Sequence, residues 1–300
     1  VHPRRRWPVP ASLLIGIAPV VVFATVSAIR ARPSDDYSGQ GLTTRSVLHS
    51  LLLPELITAG AMVVIVSALG WWRIVGRERT GGAPMWAIIA PAGVFLVALL
   101  RFPLINWGHQ PASYFLLLAP ATLLIGVFEE LLARGMLIAG LRRRLPEFWV
   151  WLLSSLIFGM LHLLNILAGQ AVGTTILQVV FAASFGSALY IARRLTRTIV
   201  TPIIMHAVWD FGALAFVATV PGALVIGGLP TGDLVLLALL GLGTFGMLLF
   251  SVVAGVFVSL HDDRGRRSAR RWRTVPALAT YAVRSAEPAL QTGWEHTPRW

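Results

Sequence analysis

Residues 113–140 read SYFLLLAPATLLIGVFEELLARGMLIAG. At a rise of roughly 1.5 Å per residue, a helix over this run is long enough to cross the ~30 Å hydrocarbon core of a bilayer. Its interior nevertheless carries Glu129, Glu130 and Arg134. Ionisable residues inside a span are costly, and they mark function by default. Seven further apolar runs lie around it, at about 11–29, 48–72, 84–100, 148–168, 174–192, 198–220 and 233–260. Of the 300 residues, 56% are hydrophobic and only 13% charged, about half the charged share of a soluble domain. These features predict an all-α fold, a polytopic membrane helix bundle of about eight transmembrane helices.

There is no Cys, which excludes a disulfide scaffold, thiol catalysis and Cys-ligated metal sites. The net charge of +12 is carried by Arg, since the chain has no Lys. The Arg residues sit in short clusters between apolar runs, as topology signals do, and this argues against a nucleic-acid partner. With the N-terminus inside, the inner segments hold Arg4 to Arg6, Arg73, Arg77, Arg79, Arg142 to Arg144, Arg193, Arg194, Arg197 and the cluster from Arg264 to Arg273. The outer loops hold only Arg30, Arg32, Arg45 and Arg101. This predicts a multi-pass protein of the plasma membrane with both termini cytoplasmic. The run at 11–29 is nearer the length of a span than of a signal peptide and reads as a retained anchor. Residues 30–46 read as a turn-rich outer loop. The Arg-rich tail after Leu260 reads as lying on the anionic inner leaflet or as disordered.

The spacing of the intramembrane charges is informative. Glu130 and Arg134 are four apart, acid first, the favourable order for a helical ion pair. Glu129 is turned about 100° from Glu130, so nothing in its own helix pairs it. In the run at 148–168, Phe158 and His162 share a face, with Asn165 one turn on. In the run at 198–220, His206 and Asp210 are again four apart, and the Asp can fix the tautomer of the imidazole. Measured from the inner end of each helix, Glu129 lies roughly 18 Å deep, His162 roughly 21 Å, His206 roughly 12 Å and Asp210 roughly 18 Å. Packing residues scattered by chance would not be expected to meet at one depth.

A carboxylate and an imidazole flanking a water form a general base, and a second imidazole can stabilise an oxyanion. That is peptide-bond hydrolysis without a covalent nucleophile. Two His and a carboxylate also resemble a catalytic zinc site, in which Glu129, His162 and His206 would be the ligands of a divalent metal. No HExxH occurs, and Ser184 and Ser187 give only a weak serine-protease pattern. Glu55, just after Pro54, reads as an ordinary helix start. His49, His109 and His261 read as residues at span ends.

EELLAR at 129–134, FGMLH at 158–162 and HAVWD at 206–210, in this order on successive helices, resemble the EExxxR, FxxxH and HxxxN/D motifs of the CPBP intramembrane proteases. That family includes the type II CAAX prenyl endopeptidases and the bacterial bacteriocin-processing or self-immunity (Abi) proteins. The resemblance covers roughly 113–220. It divides the chain into a three-span region at 1–112, a catalytic core at 113–220, a last span at 221–260 and a basic cytoplasmic tail at 261–300. It implies that Glu129 and His162 activate water, that His206 and Asp210 stabilise the oxyanion, and that Glu130, Arg134, Phe158 and Asn165 support them. A glutamate-dependent and a metal-dependent mechanism both stay open. The implied substrate is a membrane-associated peptide or protein. Asp210 stands where the CAAX-cleaving branch has Asn, which fits the bacterial branch better. A non-enzymatic scaffold or immunity protein on the same helices, or a proton-coupled transporter, are the competing readings.

Overall fold

The computed structural model describes residues 43–78, 82–167, 169–219 and 231–284, with side chains in the last segment at 235 and 237–262. The expected first span at 11–29 lies outside the described residues, as do residues 30–42 of the expected outer loop. Among the described residues there is no strand, only an isolated bridge between Arg77 and Thr198. Seven helices among the described residues are long and apolar enough to cross a membrane. They are α1 Thr44–Ala68, α2 Met85–Leu104, α3 Ala112–Leu141, α4 Glu147–Ile166, α5 Val172–Thr196, α6 Val200–Thr219 and, within α7, Leu237–Asp262. These match the second to eighth apolar runs, and the protein is a multi-pass membrane protein. Two compact units divide after Leu260, and the site described below lies in the first. The helix of α7 is described from Thr231 to Arg284.

Short connections make neighbouring spans antiparallel, so the chain has two ends. At one end, Glu78 N–H donates to the Arg197 carbonyl and Ile199 N–H to the Gly76 carbonyl. Arg142 there bonds Glu78 at 2.6 Å and Glu147 at 2.5 Å. Burial works against the Arg142 charge, but its bonds to Glu147 and Glu78 outweigh this and hold its pKa above the ordinary value. Tyr190 OH donates to Glu147 at 2.7 Å, and Arg194 lies 3.0 Å from the same carboxylate oxygen. Arg193 approaches Glu78 at 3.5 Å. Arg142, Arg193 and Arg194, read from the sequence as topology signals, are thus members of a buried ionic network. α5 stops here because Arg197 turns into the left-handed region at φ 59°, with its N–H on the Arg193 carbonyl. At the opposite end, Asn106 N–H donates to Thr219 Oγ1.

The core is layered along the helices. Ile138, Val150, Trp151 and Tyr190 pack at the arginine-rich end. Phe158, Phe185 and Met205 fill the middle, and Val47, Tyr114, Leu118 and Ala215 the opposite end.

The start of α1 corrects two readings. Its helix begins at Thr44, inside the expected loop, with Thr43 Oγ1 accepting from Ser46 N–H as an N-cap. Pro54 and Glu55 therefore lie well inside the span and do not start it. A π-helical stretch at Val47–Leu52 precedes Pro54. Such a wide turn alters the hydrogen-bond ladder where proline, lacking an N–H, cannot donate to it.

Candidate active site

Three helices deliver the intramembrane charges to one place. On α3, Glu129 and Glu130 close the α-helical part, and a π-helical stretch at Leu131–Leu137 carries Arg134. Arg134 Nη1 donates to Glu130 Oε1 at 3.0 Å, with both side chains fully buried. On α6, His206 Nε2 lies 3.4 Å from Asp210 Oδ2. Between the two helices, His206 Nδ1 lies 3.1 Å from Glu130 Oε1, and Nε2 lies 3.8 Å from Glu129 Oε2. The approach depends on Gly126. A Cβ there would sit 2.8 Å from the Ile203 carbonyl oxygen and 3.6 Å from His206 Cβ, so a side chain would push α3 away from α6.

On α4, the α-helix ends at Leu161 and a 3₁₀ segment starts at His162. His162 Nδ1 lies 3.3 Å from the Phe158 carbonyl oxygen. A carbonyl only accepts, so Nδ1 donates and Nε2 of the neutral ring keeps its lone pair. The Phe158 ring meets His162 and His206 edge-on, at 5.7 and 5.6 Å between centroids. The Arg134 guanidinium lies 4.1 Å from the centre of the same ring. Phe185 contacts His206 at 5.4 Å and stacks on Trp209 at 4.9 Å. Gly186 leaves the guanidinium its space, since a Cβ there would lie 2.8 Å from Arg134 Nη2.

A cavity of about 350 Å³ opens beside this cluster, and Glu129, His162, His206, Asp210 and Asn165 all stand on its wall. Glu130 and Arg134 are not wall residues. They brace the site from within the protein, and Phe158, buried, holds the two imidazoles apart. Asn165 does not reach His162; its Nδ2 donates to Gln178 Oε1 at 3.0 Å. Ser187 accepts from Trp151 Nε1, Ser184 donates to the Val180 carbonyl, and neither reaches the cavity.

One wall carboxylate was not foreseen. Glu55, only 3% exposed, faces the cavity from α1, with Thr58 Oγ1 donating to its Oε2 at 3.2 Å. The signal was a carboxylate inside an apolar run, which Pro54 disguised as a helix start.

The trio that would hold zinc does not fit. Among the described residues, no three His, Asp or Glu are grouped as a metal site. His206 meets carboxylate oxygens at both ring nitrogens, Glu130 Oε1 at Nδ1 and Asp210 Oδ2 at Nε2, and a ring that donates on both sides has no lone pair for a metal.

Residues 111–212 match the family model described as Rce1-like, type II CAAX prenyl endopeptidase Rce1-like. This segment is thus similar to the CPBP, or CAAX-protease, family. Glu129, His162, His206 and Asp210 all fall inside the matched segment, whereas Glu55 lies outside it. No curated protein matches the chain.

Proposed function

We propose that the protein is an intramembrane endopeptidase that hydrolyses a peptide bond of a membrane-associated substrate with a water activated by Glu129 and His162. One observation carries the reading. A carboxylate and two imidazoles share the wall of one cavity, and Glu129 Oε2 has no hydrogen-bond partner. A buried carboxylate oxygen without a donor is costly unless something else occupies its lone pairs, and a substrate water would do so.

Glu129 takes a proton from that water while the free Nε2 of His162 accepts its other hydrogen bond. The water oxygen attacks the carbonyl carbon. The charge that develops on the carbonyl oxygen is met by His206. Both nitrogens of that ring face carboxylate oxygens, Glu130 on one side and Asp210 on the other, and carboxylates only accept. A ring donating on both sides is an imidazolium, the form that stabilises an oxyanion. Asp210 thus acts by holding His206. On collapse, the C–N bond breaks and the proton held by Glu129 passes to the leaving nitrogen. The arginine distribution supports an orientation with both termini in the cytoplasm.

The test is a comparison of peptide termini in a deletion strain complemented with wild type or Glu129→Gln at equal membrane levels. New termini present only with wild type are expected. Identical termini, with full rescue of phenotype by Glu129→Gln, would overturn the reading.

A further inference from the structure

We infer that the cavity is reached from the end of the bundle opposite the arginine-rich loops, so that the substrate is a peptide segment presented on the extracytoplasmic side of the membrane and not a cytosolic C-terminus. The nature of the substrate rests on the protease reading; the direction of access rests on the cavity and the topology alone.

The wall of the cavity runs one way. From Glu129 and His206 it follows α4 past His162 to Asn165, then leaves the span onto Leu167 and Gln170 in the loop between α4 and α5. On α1 it climbs from Glu55 to Ser50, toward the start of that helix. Towards the other end it stops in mid-bundle. No residue of the α3–α4 or α5–α6 connections, where Arg142 to Arg144 and Arg197 lie, stands on it. The way there is filled. Arg134, fully buried, covers the Phe158 ring, and beyond it lie Ile138, Trp151 and Tyr190. The Glu147 network then closes the end, with Arg142, Arg194 and Tyr190 all on one carboxylate.

The arginine distribution orients the molecule. Arg73, Arg77, Arg143, Arg144 and Arg197 mark the closed end, while only Arg45 and Arg101 lie near the open one among the described residues. By the positive-inside rule, the closed end faces the cytoplasm. The wall chemistry agrees. Its outer part carries Ser50, Asn165, Gln170 and Gln178, groups that pair with an extended backbone. Among the described wall residues there is no Arg to receive a free carboxylate at the end of a chain, and both nitrogens of the wall imidazole His206 already face carboxylates of the protein.

The natural absence of Cys makes the test direct. Gln178 stands on the wall, and its neighbour Leu177 is 61% exposed on the apolar exterior. Gln178→Cys, Gln170→Cys, Leu177→Cys and Arg144→Cys are each treated with a membrane-impermeant maleimide, in right-side-out and in inverted vesicles. Maleimide needs a thiolate, and a thiolate needs water. Gln178→Cys and Gln170→Cys are expected to react in right-side-out vesicles, Gln178→Cys about tenfold faster than Leu177→Cys. Arg144→Cys is expected to react only in inverted ones. Reaction of Gln178→Cys only from the side that labels Arg144→Cys, or no faster than Leu177→Cys from either side, would overturn the proposal. Should Gln178→Cys fail to accumulate, Gln170→Cys decides the side alone. The labelling does not depend on proteolysis. Outer-face labelling without new peptide termini would remove the protease reading and leave the access route; cleavage with inner-face labelling would do the reverse.

Discussion

Two buried clusters of charge lie within the same bundle, and they are finished differently. At the arginine-rich end, one oxygen of Glu147 meets Arg142 at 2.5 Å, Tyr190 at 2.7 Å and Arg194 at 3.0 Å. In mid-bundle, Glu129 has His206 at 3.8 Å, too far for a hydrogen bond. Glu147 is fully buried and Glu129 largely so, and the cost of removing a charge from water bears on both. Only the first is compensated within the chain. The contrast teaches that burial alone does not single out a carboxylate for a chemical role; the one proposed as the base also has an open lone pair beside a cavity.

Four variants break or sharpen this contrast. Glu129→Gln keeps size and removes the proposed base. Cleavage is expected to fall by about 10²–10⁴ while the melting temperature in detergent stays near that of wild type; an active variant would move the base elsewhere. Glu147→Ala should do the opposite, leaving Arg142 and Arg194 without their shared acceptor and destabilising the fold by about 3–5 kcal/mol. Its signature is a lower melting temperature and lower membrane yield, with activity per folded molecule little changed. Gly126→Ala couples the two effects, since its Cβ meets the Ile203 carbonyl. It should cost about 1–3 kcal/mol by overpacking, and a kcat loss beyond that thermal effect would report the displaced Glu129. His49→Ala, exposed on α1, should lie within about 0.5 kcal/mol of wild type in both assays.

Much of the second cluster was legible in the sequence, because helical spacing is a local property. The i, i+4 rule placed Arg134 on Glu130 and Asp210 beside His206, and counting turns brought the α3, α4 and α6 residues to one depth. The first cluster was not legible. Arg142, Arg193 and Arg194 carry the pattern of topology signals, and only the meeting of three loops with Glu78 and Glu147 shows that they are buried ion partners. Glu55 was missed for a related reason. Proline at the first turn of a helix and proline after a π-helical stretch look alike in one dimension. The position of Asn165, bonded to Gln178 and away from His162, depends on the 3₁₀ turn that begins at His162, which a uniform helical periodicity does not foresee.

The π-helical stretch at Leu131–Leu137 has a consequence for the phase of α3. Its hydrogen bonds reach one residue further along the chain than those of an α-helix. The sequence therefore holds, in effect, one residue more than a plain helix would use between the carboxylates and Ile138. Deleting a single residue from this stretch would let a plain helix close with its two flanks still in phase, whereas closing the wide turn with no deletion would rotate everything beyond it by about 100° relative to Glu129. Ile138, now fully buried in the core, would then swing out of it while the half that carries Glu129 and Glu130 stayed in place. The two halves of α3 are thus indexed separately, one to its chemistry and the other to its packing, with seven residues serving as the coupling between them.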